Sequence, residues 1–298
     1  LDTSDRGGLG ALSAEELSEL GRLYRSATSD LAVARRDFKT HRVKDYLNGL
    51  VARAHATIYR SRATRGSAIA RFFTHTFPQT FRATWRHALA AFLMMFLPAV
   101  LSFILAYRDP AASATLLPGS EAIIQDIRDG NEWWKTINQE GRSASAAVIM
   151  TNNIRVALLA FAGGILLGTL SFYVLVQNGM MLGVVAGAAQ AYGFAGKLWG
   201  FVAAHGSIEL SVIFIAGGAG LQLGWSVLRP GLLTRRAALA IAARRAVALL
   251  LGCVPLLVVA GLIEGFVSPS DLPLWFKLSV SAVTGVALYA YLFLAGRE

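Results

Sequence analysis

Between Ala144 and Gly296 the only acids are Glu209, Glu264 and Asp271, and the only histidine is His205. His205 and Glu209 stand at i and i+4, a spacing that brings an imidazole and a carboxylate to one helix face, where they can share a metal ion or a proton. Glu264 could add a third ligand, completing a His plus two carboxylate set of the kind that activates water. Asn152, Asn153 and Arg155 supply further hydrogen-bonding groups, with Lys197 as a substitute cation. Against metal chemistry, there is no HExxH pattern and Gly206 interrupts the His–Glu pair. The lone Cys253 can form neither an internal disulfide nor a thiolate cage. A plainer reading fits each acid: Glu209 follows Ser207 at a helix start, where free N–H groups favour a carboxylate, and Glu264 can pair with Arg155. The sequence assigns no catalytic residue, no metal and no cofactor. Asn152, Asn153, Arg155, His205, Glu209 and Glu264 stand as a candidate polar binding cluster, expected to form one hydrogen-bonded network.

Apolar helices must position these groups. The chain of 298 residues is 55% hydrophobic and 15% charged, with net charge +10 and mean hydropathy +0.51. Charge far below the globular norm of about 25% excludes a soluble enzyme or a disordered chain. Five stretches reach the roughly 17 to 25 apolar residues that cross a hydrocarbon core: Ala88 to Tyr107, Arg155 to Gln177, Ile208 to Leu228, Ala246 to Val267 and Leu274 to Ala295. The glycine-rich Gly179 to Trp199 is a sixth. The reading is an all-α polytopic membrane bundle of about six spans.

Residues 1–12 read as a flexible leader, and opening on Leu1 suggests that the protein starts upstream. Ser13 and Glu16 form a capping box, followed by two amphipathic helices that make a cytosolic hairpin. Residues 67–86 mix Phe and Trp with Arg and read as an interfacial helix broken or kinked at Pro78. The predicted domains are a helical region over 13–86 and a transmembrane domain over 87–298 with an outer loop at 108–147. That loop, with 4 Lys+Arg and 6 Asp+Glu, holds Trp133 and Trp134, which could rest on the membrane surface. Residues 1–86 hold 15 of the 28 Lys+Arg, and Arg229, Arg235, Arg236, Arg244 and Arg245 follow the fourth span. The positive-inside rule places both regions and both termini in the cytosol of a bacterial inner membrane. The polar cluster then gathers at the outer face.

Glycines four apart, among them Gly179 and Gly183 and Gly220 and Gly224, allow close helix approach inside the bundle, with a homodimer face as the alternative. Asn178 and Gly179 are expected to form the tight inner link between spans two and three, because Asn-Gly tolerates positive φ.

The runs TNNIRVALLAFAGGILLG, QNGMMLG, AAHGSIEL, AGGAGLQLG with RPG, and LIEGFVSPS resemble the stage II sporulation protein M family of integral membrane proteins. LYRSATSDLAVAR and YLNGLVARAHATIYR resemble the soluble lead-in of its bacterial members, so the similarity covers roughly residues 13–297. The resemblance implies a membrane protein that anchors cell-wall-remodelling enzymes, or a subunit of an envelope complex with AAA-type ATPases. The Ala- and Arg-rich composition gives no support for a spore-forming source, so the sporulation role is not carried over. The function expected is a non-enzymatic scaffold that contacts membrane lipids and binds proteins through residues 13–86 and the 108–147 loop, with no nucleic acid partner. A transporter or channel for a small or lipid-linked substrate is the alternative, and an intramembrane metal hydrolase the least favoured reading.

Overall fold

The computed structural model describes residues 12–37, 42–59, 65–132, 134 and 142–297. Most of the leader, Trp133 and most of the basic link after Tyr59 lie outside them. The described residues are helical with no strand, as the all-α polytopic reading requires.

The chain divides into two compact units, 1–68 and 69–298. The first is a helical hairpin, α1 (Ala14–Asp37) and α2 (Arg42–Tyr59). Its capping box is present: Ser13 N–H donates to Glu16 Oε2 at 2.8 Å and Glu16 N–H to Ser13 Oγ at 3.2 Å. Leu31, Ala34 and Ala54 are its buried residues. Tyr24 and His55 hydrogen-bond at 2.9 Å, and Arg35 donates to Asn48 at 2.8 Å. On the exposed α1 surface, the Arg22 guanidinium holds the Glu19 carboxyl below the usual carboxylate range.

Residues 69–86, predicted as part of the first region, belong to the second unit. Phe77, Phe81 and Thr84 are buried in its core. They lie on α3 (Arg65–Arg71), a single π turn (Phe72–Thr76) and α4 (Phe77–Arg108). The predicted break at Pro78 does not occur, because Pro78 falls in the first turn of α4, where a missing N–H is tolerated. The π turn provides the adjustment just before it. There Phe77 N–H bonds to Phe72 O, and the next residue, Pro78, has no N–H. The Phe73 carbonyl is thereby left without a helical donor, and the Tyr291 hydroxyl donates to it instead.

The rest of the bundle comprises α5 (Pro110–Leu116), α6 (Glu121–Asp129), α7 (Arg142–Ala162), α8 (Thr169–Ala191), α9 (Ala195–Val202), α10 (Gly206–Leu228), α11 (Arg235–Phe266) and α12 (Leu274–Leu294). Five helices are long and apolar enough to cross a membrane: Gly66–Arg108, Thr169–Ala191, Gly206–Leu228, Arg235–Phe266 and Leu274–Leu294. Asn152–Leu166 is a shorter apolar helix.

The predicted link at Asn178 and Gly179 is wrong. α8 runs unbroken through both, and Asn178 Nδ2 donates back to Val174 O at 2.7 Å. The reversal lies in the Gly-Gly-Ile-Leu-Leu-Gly segment, inside the predicted second span. A 3-10 turn (Gly163–Leu166) is followed by Leu167 and Gly168 at φ 57° and 84°, a left-handed pair that ends the helix. Ser171 Oγ closes the corner by donating to Ala160 O at 2.6 Å. Gly179 serves packing, not turning. A Cβ at Gly179, Gly183 or Gly187 would strike the α4 backbone at Met95, Ala99 or Phe103 respectively.

α10 is the most buried of the long helices. Its Gly218 sits on Ala88 of α4, while Gly220 and Gly224 sit on Ala160 and Leu167. These glycines are therefore occupied by contacts within the chain. At one end of the bundle Arg82 Nη1 donates to Leu292 O at 2.9 Å and Ala295 O at 2.7 Å, neutralising the carbonyl end of α12.

Candidate functional site

The opposite end of the bundle gathers the polar residues. His205 precedes the first turn of α10, Glu209 lies within that turn, and Glu264 stands near the end of α11. All three are buried, at 4%, 8% and 2% exposure. One potential ligand atom from each lies within 4.8 Å of the other two. Gly206 does not break the His–Glu pair; it opens α10, so i, i+4 spacing operates across the helix start.

The His205 ring is held from one side. Its Nδ1 meets Ser268 Oγ at 2.7 Å, and the ring packs T-shaped with Phe201 at 5.6 Å between centroids. Its Nε2 lies 3.8 Å from Glu209 Oε2. Burial pushes the imidazole down to about 4, so His205 is neutral at pH 7 and this contact is not an ion pair. Asn153 of α7 lies within hydrogen-bonding reach of the Glu209 carboxylate. Glu264 stands apart: neither of its carboxylate oxygens has a hydrogen-bond partner among the described residues.

The predicted network is thus only partly assembled. His205, Glu209, Glu264 and Asn153 come together. Asn152 and Arg155 are exposed side chains, and Arg155 makes no described ion pair with either acid. Lys197 pairs with Glu132 at 3.5 Å and lies over the Phe194 ring at 5.5 Å, away from the cluster.

Sequence reading missed Lys277. Its ammonium, on the first turn of α12, is 5% exposed and donates to the carbonyls of Gly200 at 2.8 Å, Ser268 at 2.7 Å and Ser270 at 2.8 Å. All three N–H bonds of the ammonium are satisfied, which is what lets a charge be buried there. The signal was present as a lone basic residue at the start of an apolar run. Ser268 thereby serves two partners, its hydroxyl to His205 and its carbonyl to Lys277.

Trp134, expected on a membrane surface, is 5% exposed and stacks on Phe201 at 5.0 Å and 10°. With Leu117, Ile124 and Ile127 it packs against Val184, Ala188 and Leu198. The described part of the 108–147 segment therefore spends its apolar face on the bundle. Beside Ser268 and Phe201 lies a polar cavity of about 180 Å³, also lined by Glu132, Lys197, Asp271 and Lys277.

Fold and site together define a polytopic α-helical membrane protein with a buried His–Glu–Glu cluster at one end of its bundle. Stage II sporulation protein M matches residues 88–269, more than half of the chain, and the chain belongs to that family. The family is not known for catalysis. Residues 2–60 match a domain of unknown function (DUF8413). No curated protein and no solved structure matches the chain significantly.

Proposed function

We propose that the protein is a non-enzymatic scaffold of a cell-envelope complex, held in the bacterial inner membrane by its bundle and binding a cytosolic protein through the α1–α2 hairpin. The observation that carries this reading is the hairpin's unspent apolar surface. It buries Leu31, Ala34 and Ala54 but leaves Leu17, Leu23, Val33 and Tyr46 exposed, Tyr46 at 66%. A helix pair that covers so little of its apolar periodicity is short of a partner. The family's association with anchoring cell-wall enzymes supports the envelope setting. Crosslinking in native membranes, followed by detergent extraction, tests it. A stable partner lost on Leu17→Ser with Tyr46→Ser supports the scaffold, and recovery of the chain alone from both wild type and variant refutes it.

A second reading is favoured by one feature, an apolar cavity of about 580 Å³ lined by Phe92, Phe96, Phe103, Leu182, Trp199, Phe214 and Tyr289, with Ser207 as a polar group in its wall. A cavity of this size and lining suits an acyl chain, and so a lipid-linked substrate. Flux of such a substrate in proteoliposomes supports this alternative; silence across lipids, ions and cell-wall precursors rejects it.

A further inference from the structure

We propose that His205 Nε2, Glu209 and Glu264 bind one divalent transition-metal ion of the zinc class. A nitrogen and two carboxylates form a mixed donor set that suits zinc better than the all-oxygen cages of magnesium or calcium. Glu209 and Glu264 come from α10 and α11 and His205 stands just before α10, and four observations point to one shared ion.

Spacing comes first. In a tetrahedral site with bonds of about 2.0 to 2.2 Å, donor atoms lie about 3.3 to 3.6 Å apart. The His205 to Glu209 separation is 3.8 Å and every pair falls within 4.8 Å, so small side-chain rotations bring the set onto one ion. The tautomer comes second. Nδ1 and Ser268 Oγ lie 2.7 Å apart, and in the tautomer in which Nδ1–H donates to that hydroxyl the Nε2 lone pair faces Glu209, as a shared ion requires. A hydrogen bond to the non-ligating nitrogen is the usual support of a metal-bound histidine. Asn153 orients Glu209 in the same manner. Third, Glu264 is 2% exposed with both oxygens unpartnered among the described residues. A buried carboxylate with no donor is unfavourable when ionised, and it is relieved either by taking up a proton or by a bound cation. Among the described residues no ion pair to Glu264 is present, since Lys277 gives its ammonium to three carbonyls and Arg155 is exposed. A bound cation supplies that charge to both acids at once. Fourth, a polar cavity of about 180 Å³ lies beside the cluster, lined in part by Ser268 and Phe201, both of which contact His205.

The test uses the full chain, purified in detergent without a polyhistidine tag, stripped with chelator, and titrated with Zn²⁺ in the presence of excess Mg²⁺. Elemental mass spectrometry after gel filtration is expected to find about one zinc per chain, a single three-ligand site with water completing the tetrahedron. Glu264→Gln and His205→Ala should reduce retained zinc to background. Ser268→Ala should weaken binding about 10- to 100-fold while keeping stoichiometry, the usual loss for an orienting partner. Asp30→Asn, on the exposed hairpin, should change nothing. Wild-type protein that retains no zinc overturns the proposal, as does zinc that persists in both ligand variants or binding of Mg²⁺ in preference to Zn²⁺. Should the ligand variants fail to fold, wild-type stoichiometry and the Ser268→Ala affinity decide the matter.

Discussion

Replacing Tyr291 with Phe removes one oxygen and nothing else, and the structure says what that oxygen does. The Phe73 carbonyl has no helical donor because the π turn sends Phe77 N–H to Phe72 and Pro78 has no N–H to send. Tyr291 supplies the only donor described for it. Phenylalanine keeps the ring contact with Phe77 at 6.2 Å, so packing is preserved while the acceptor is orphaned. A stranded buried acceptor costs about 1 to 3 kcal/mol. Tyr291 is half-buried, so water recovers part of this, and we expect a loss of about 1 to 2 kcal/mol, roughly a 5- to 30-fold change in the unfolding equilibrium. Unfolding in mixed detergent and SDS micelles reads the difference. The same measurement in a Pro78→Ala background sharpens it, since an amide at position 78 can reach Phe73 O in the π register. There Tyr291→Phe should cost about 1 kcal/mol less, a coupling of the size double-mutant cycles resolve. Equal cost in both backgrounds, or a single-variant change below about 0.3 kcal/mol, would refute the account.

Three other outcomes are expected. Gly183→Leu drives a side chain into the Ala99 backbone and should destabilise the bundle by more than about 2 kcal/mol, seen as a lower detergent unfolding midpoint; an unchanged midpoint would mean that α4 and α8 are further apart than described. Lys277→Met strands three carbonyls and should cost about 2 to 4 kcal/mol, with faster proteolysis in the Ser268–Asp271 turn as the second readout. Cysteines at Asp129 and Asp271 should react with an impermeant maleimide from outside intact cells, whereas cysteines at Asp30 and Leu233 should not. All four sites are exposed and the native Cys253 is 1% exposed, so background is low, and labelling at Asp30 would reverse the orientation expected from charge.

The helical, polytopic class was legible because hydropathy over about 20 residues integrates many side chains and tolerates local error, whereas about six spans were expected and five helices are long and apolar enough to cross. The turn was not legible. Asn178–Gly179 has ideal turn chemistry, yet a helix absorbs both when neighbouring α4 needs a surface without Cβ atoms at that height. The true reversal at Gly163–Leu166 lies inside the apolar run Arg155 to Gln177, where hydropathy alone marks no turn. Of the polar cluster, i, i+4 spacing located His205 with Glu209, and burial cost brought Glu264 to them. Arg155 was assigned by charge complementarity alone, which cannot see that its side chain leaves the bundle. Lys277 escaped because a lysine at a span start reads as an interfacial anchor, and only the fold of the Ser268–Ser270 turn makes it an internal clamp.

The pairing of Phe73 with Tyr291 joins positions 218 apart in sequence. At a synthesis rate of about 5 to 20 residues per second, roughly 10 to 45 seconds separate the appearance of the acceptor from that of its donor. Through that interval a π turn formed at Phe72–Thr76 would hold a carbonyl with no described partner in its own chain, while the intervening crossings are made. Water, a lipid headgroup or the insertion apparatus must serve it meanwhile. The register of the π turn and the arrival of α12 are therefore expected to be set together, since the turn's carbonyl finds its described donor only once Tyr291 is in place.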